Sequence, residues 1–156
     1  MKNIPQLLAE YETRLLKDRL LEYPAMILNQ KALIRKLREA YRMADQERII
    51  LEADIAGEIA SETNPDTGKA AYSNTEARAV ELVRRKKTNS SYQEVAMAAR
   101  GSEHELNEAQ DQLEALQDKF KAYRYVVRLT AEELALFASE ENEEAVDGAP
   151  ATKQPY

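Results

Sequence analysis

From Tyr92 to Leu134 one stripe recurs at alternating steps of three and four residues: Tyr92, Val95, Ala99, Ser102, Leu106, Ala109, Leu113, Leu116, Phe120, Tyr123, Val127, Thr130 and Leu134. All of these except Ser102 and Thr130 are apolar. A mean spacing of about 3.5 residues keeps such a stripe facing one partner over about six heptads. A pattern this long leaves little room for anything but a long helix lying on another helix. It constrains architecture far more tightly than chemistry.

The partner stripe stands earlier in the chain. From Ala25 to about Glu62 there is no proline and a single glycine, Gly57. The steps Ile27, Gln30, Ile34, Leu37, Tyr41, Ala44, Arg48, Leu51 and Ile55 form a second heptad seam. Gln30 and Arg48 interrupt it, and polar residues in such a seam fix register or oligomeric state at some cost in stability. Two long helices joined through a short one fold back most simply as an antiparallel hairpin, because each apolar stripe then buries the other.

Composition agrees with this reading. Hydrophobic residues are 44% and charged residues 32% of the 156, with four glycines and no tryptophan, close to the signature of coiled coils. A β-rich fold is not expected. The chain has no cysteine, which removes disulfides, thiolate chemistry and zinc ribbons and suits a reducing compartment. No apolar run approaches the roughly 18 residues a bilayer span needs, and Met1 to Tyr11 lacks a signal-peptide core. A soluble, cytoplasmic protein without membrane contact is expected.

Shorter elements fill in around the rods. Pro5 can open a helix carrying Leu7, Leu8, Tyr11, Leu15, Leu16 and Leu20, over about 5–21, which Tyr23-Pro24 should end. Asn64-Pro65-Asp66-Thr67-Gly68-Lys69 is a turn cluster. It is no phosphate loop: Thr63 and Ala70 stand where that motif needs glycine and a hydroxyl, and no strand precedes it. Ser73-Asn74-Thr75-Glu76 reads as a capping box for a short helix over about 74–87, Ser91-Tyr92-Gln93-Glu94 as another launching the long helix over about 91–129, and Thr130-Ala131-Glu132-Glu133 as a third, restarting a terminal helix over about 131–138. The expectation is an all-α fold: an antiparallel coiled-coil hairpin with short flanking helices in a single domain over 1–138, and a disordered acidic tail over 139–156.

The net charge of −6 is unevenly spread. Glu140, Glu141, Glu143, Glu144 and Asp147 against one lysine give the tail most of it, leaving the body nearly balanced. Within the body, Lys31, Arg35, Lys36, Arg38 and Arg42 form one basic segment and Lys119, Lys121, Arg124 and Arg128, with Tyr125 off the seam, form another. Folding back as a hairpin is expected to place residues 31–42 beside 119–128, giving the rod a basic end. Glu103, Glu105, Glu108, Asp111, Glu114 and Asp118, with Asp45, Glu47, Glu52, Asp54 and Glu58, make its middle acidic. A further run, Arg84-Arg85-Lys86-Lys87, ends the short helix, where cations also suit the helix dipole and the last carbonyls.

Cations tracking phosphates beside an aromatic free to stack are what single-stranded nucleic acid requires. The candidate contacts are therefore Lys31, Arg35, Lys36, Arg38, Arg42, Arg84, Arg85, Lys86, Lys87, Lys119, Lys121, Arg124, Tyr125 and Arg128. Catalysis has no comparable support. The one histidine, His104, cannot supply the paired Glu-x-x-His motifs of a di-iron bundle. No serine has a partnered base or a glycine elbow. No catalytic residue, metal, cofactor or small-molecule substrate is expected.

The run Asn64-Pro65-Asp66-Thr67-Gly68-Lys69-Ala70-Ala71-Tyr72-Ser73-Asn74-Thr75-Glu76-Ala77-Arg78, set between two long helices, resembles small coiled-coil proteins of phage and mobile-element recombination modules. The layout over residues 25 to 137 is similar to phage recombination mediator proteins of the UvsY kind. That resemblance implies a non-enzymatic homo-oligomer that binds single-stranded DNA and helps load a recombinase or annealing protein. The competing expectation is a structural or inhibitory coiled coil that binds another protein through its acidic face.

Overall fold

A computed structural model of the chain describes residues 4–147, and within them it has four helices: α1 (Ile4–Glu10), α2 (Thr13–Ser61), α3 (Thr75–Thr88) and α4 (Ser90–Asp147). The described residues contain no strand, only an isolated bridge between Thr63 and Ala70. No described helix is long and apolar enough to cross a membrane. The chain divides into two compact units, a central one of Gln30–Gln112 and a terminal one made by the residues up to Asn29 and from Leu113 onward.

In the central unit α2 and α4 run antiparallel as a coiled-coil hairpin. Near its open end the Gln30 amide donates to the Ala109 carbonyl at 2.8 Å and to Gln112 Oε1 at 3.2 Å. Toward the loop the Tyr92 hydroxyl donates to Glu52 at 3.2 Å. Between these points the two stripes face each other. None of the seam residues named on either helix is exposed, and Ile34, Ile55, Tyr92, Ala99, Leu106 and Ala109 are buried. The densest packing is a cluster of Ile55, Ile59, Tyr92 and Ala96, on which Leu51, Tyr72 and Leu82 close, so α3 and its approach are sealed against the hairpin.

The turn cluster folds on itself. Asn64 N donates to the Lys69 carbonyl, Gly68 N to the Asn64 carbonyl and Ala71 N to the Glu62 carbonyl at 2.8–2.9 Å. Asp66 N donates to Asn64 Oδ1. Gly68 takes φ 63°, the left-handed conformation that costs glycine least. Asn74 rather than Ser73 caps α3, its Oδ1 accepting from Ala77 N at 2.7 Å. Asn89 then serves two helices: its N–H closes α3 on the Arg85 carbonyl, and its side chain accepts from Tyr92 N at the start of α4.

In the terminal unit Tyr23 lies against Phe120 and Tyr123, with ring centroids 6.1 and 5.3 Å apart. Two expected breaks are absent. Helix α2 passes through Pro24 without ending, and the interruption falls earlier, at Glu12, which has φ 47°. Proline forfeits one backbone hydrogen bond and crowds the preceding turn, but burial of the adjacent Tyr23 in the aromatic contact opposes that cost. Helix α4 likewise passes through Thr130, which is buried on the stripe and so packs as a seam residue rather than capping a new helix. The helix runs on through the first part of the acidic stretch to Asp147, a segment rich in Glu, a good helix former. The expected disorder over 148–156 lies outside the described residues.

Candidate nucleic-acid interface

The candidate cations separate into three environments. Lys31, Arg35, Lys36, Arg38 and Arg42 lie on α2 in the central unit, whereas Lys119, Lys121, Arg124, Tyr125 and Arg128 lie on α4 in the terminal unit. The expected juxtaposition of 31–42 with 119–128 is therefore corrected. Gln30 on Ala109 and Gln112, and Tyr92 on Glu52, set a register in which residues 31–42 run beside the α4 segment that holds Glu103, Glu105, Glu108 and Asp111. The offset is about two and a half heptads, or five steps of the stripe, and a heptad seam tolerates such shifts because its stripe looks alike after each alternating step of three or four. Arg42 is moreover engaged by Glu39 at 2.6 and 3.0 Å. Carboxylates this near offset the positive field that a phosphate backbone would need.

The Arg84 to Lys87 run is largely occupied. Glu81, 7% exposed, receives Arg84 at 2.6 and 2.8 Å and Arg85 Nε at 2.8 Å. Arg85 reaches on to Glu62 at the end of α2. Lys86 pairs with Glu52 at 2.8 Å and sits 5.1 Å from the centre of the Tyr92 ring. Arg48 joins this group, pairing with Asp45 at 2.8 Å and with Glu52 at 3.3 Å. Hydrogen bonds from Arg84 and then Arg85 hold the Glu81 carboxyl far below its ordinary value, at about 2. Lys86 likewise lowers Glu52. With side chains only 24% and 27% exposed, Arg85 and Lys86 clamp α3 to the hairpin and are poorly placed to reach a strand. Residue spacing offered one clue: Glu81 precedes Arg84 and Arg85 by three and four, the separations at which helical side chains meet. Nothing in the spacing pointed to Glu52 or Glu62.

The third environment is open. Lys121, Arg124, Tyr125 and Arg128 line one shallow groove on α4. Tyr125 is 68% exposed. Arg124 leans over the Phe120 ring at 5.9 Å, and Lys119 has no ion pair among the described residues. Lys121 pairs with Asp118 at 3.0 Å and Arg128 with Glu132 at 2.9 Å, but the two cations are 67% and 75% exposed. Ion pairs so exposed are worth about 0–1 kcal/mol, so a phosphate can compete for both. His104 lies exposed, 3.4 Å from Glu108.

Comparisons with protein-family models, with curated proteins and with solved structures find no match to this chain.

Proposed function

We propose that the protein is a non-enzymatic helical accessory factor that binds single-stranded DNA through the α4 face formed by Lys121, Arg124, Tyr125 and Arg128, in a recombination or replication process of the phage type. The observation that carries this reading is the exposed Tyr125 ring among three cations on one open groove. A base can stack on the ring while the cations follow the phosphates. Of the three cationic clusters, this is the one whose charges are neither held in part-buried ion pairs nor set beside the acidic stretch of α4 from Glu103 to Asp111.

Fluorescence anisotropy with a labelled oligonucleotide tests it. With three cations engaged, counterion release predicts a log–log salt slope of about −2, or about 20-fold weaker binding between 50 and 200 mM salt. Changing Lys121, Arg124 and Arg128 together to alanine should abolish binding, and Tyr125→Ala should weaken it about tenfold or more. Absent or salt-insensitive binding would sink the proposal.

A second reading has its own observation. Glu103, Glu105, Glu108 and Asp111 are all exposed, and among the described residues only Glu108 has a partner, His104. A face like this suits docking on a basic protein. The same anisotropy experiment separates the readings, since that partner would be untouched by the triple alanine change.

A further inference from the structure

The open groove on α4 is bounded at both ends by carboxylates on its own face. Measured around the helix from Lys121 at about 100° per residue, Arg124, Tyr125 and Arg128 fall within about 60°, and so do Asp118 one turn before them and Glu132 one turn after. Glu114 continues the acidic side by a further turn, whereas Lys119 lies about 160° away. Along one line the face therefore reads acid, base, acid. The pairs across both boundaries are formed: Lys121 Nζ donates to Asp118 at 3.0 Å and Arg128 Nε to Glu132 at 2.9 Å. Arg124, between them, has no carboxylate partner among the described residues and leans on Phe120 instead.

The cationic window is short. From Lys121 to Arg128 the helix rises about 10.5 Å. A stacked strand advances about 3.4 Å per nucleotide and a stretched one about twice that, so the window meets about two to four phosphates. Its single exposed ring takes one base. A strand that continued along the helix axis would bring its next phosphates onto Asp118 and Glu114 at one end or onto Glu132 at the other, where like charges repel. We infer that Asp118 and Glu132 are charge stops: they confine the ligand of this face to about four nucleotides or fewer of single strand per chain, and they hold its affinity below what the three cations alone would give. The inference rests on the DNA-binding reading and adds to it the length of strand recognised and the residues that set that length.

Titrating the full chain at low salt with oligothymidylates of about 2 to about 12 nucleotides tests it. Affinity should climb up to about four nucleotides and then rise no faster than the number of positions a longer strand offers. Asp118→Asn with Glu132→Gln should bind the tetranucleotide about threefold to tenfold more tightly, because each exposed ion pair that a phosphate must displace costs up to about fivefold, and it should go on gaining affinity with greater length. Asp54→Asn with Glu58→Gln removes as many charges from exposed positions on α2 and should stay within about twofold of wild type. A wild-type affinity that keeps climbing steeply past about six nucleotides, or a doubly neutralised Asp118 and Glu132 variant no tighter than that control, would overturn the inference and leave DNA binding standing. A wild type that binds no strand of any length would overturn both.

Discussion

Truncating Ile59 tests whether the α2–α3–α4 cluster is the core of the central unit. Ile59 is 2% exposed and packs with Ile55, Tyr92 and Ala96. Replacing it with alanine removes three carbons, about 2.4 kcal/mol of transfer free energy at roughly 0.8 per methylene. An incompletely collapsed void of a few tens of Å3 adds about 1 kcal/mol. The better helix propensity of alanine returns about 0.4. The expected loss is about 3 kcal/mol. Ile49 supplies the internal control, being the same residue on the same helix but 52% exposed; about half the transfer term and no cavity leave a net cost under about 1 kcal/mol. Urea unfolding followed by far-ultraviolet circular dichroism, at matched protein concentration, reads both as midpoint shifts at constant slope. Equal costs for the two substitutions, or less than about 1 kcal/mol for Ile59→Ala, would refute the assignment of this cluster as core.

The clamp on α3 should be acid-sensitive. Glu81 titrates at about 2 in the folded chain, below its ordinary value of 4.5, so on acidification the unfolded chain takes up the proton first. Its contribution is complete above about pH 5 and is lost as pH falls toward 2; Glu81→Gln should flatten the dependence of melting temperature on pH across that window. Arg85→Ala with Lys86→Ala should lower the melting temperature while leaving DNA affinity within about twofold of wild type, because both side chains are held by Glu81, Glu62 and Glu52; a large loss of affinity would return this run to the interface. Pro24→Ala should raise stability by about 1–3 kcal/mol in thermal or urea unfolding, since proline in a helix interior costs up to about 3; a loss would mean that the proline ring itself is needed for the packing around Tyr23.

Both long helices were legible in the sequence because burial obeys a fixed period: every residue placed on either seam turned out to be shielded. Local punctuation was less dependable. Pro24 and Thr130 carry valid stop and start signals, yet each sits where tertiary packing overrides them, Pro24 beside the buried Tyr23 and Thr130 on the stripe itself. Register could not be read at all, since a repeating stripe fits its partner after any shift of seven. That ambiguity hid the register in which residues 31–42 run beside the acidic stretch of α4 within their own unit. The Arg84 to Lys87 run shows a related limit: two of its partners come from outside α3, Glu52 from α2 and Glu62 from just beyond the end of α2. The groove at Tyr125 was accessible to sequence reasoning because one helix supplies all of it, and spacing alone separates Tyr125 from the seam.

Gln30 gives the repeating seam a key. Sliding α4 by one heptad would still match large side chains to small ones, but it would carry Gln112 away from the Gln30 amide and leave that amide to find new acceptors. One glutamine thus selects a single alignment from a ladder of near-equivalent ones. An apolar replacement such as Gln30→Leu would be expected to give a tighter seam and a less faithful one, with several slipped hairpins interconverting where the native chain keeps one.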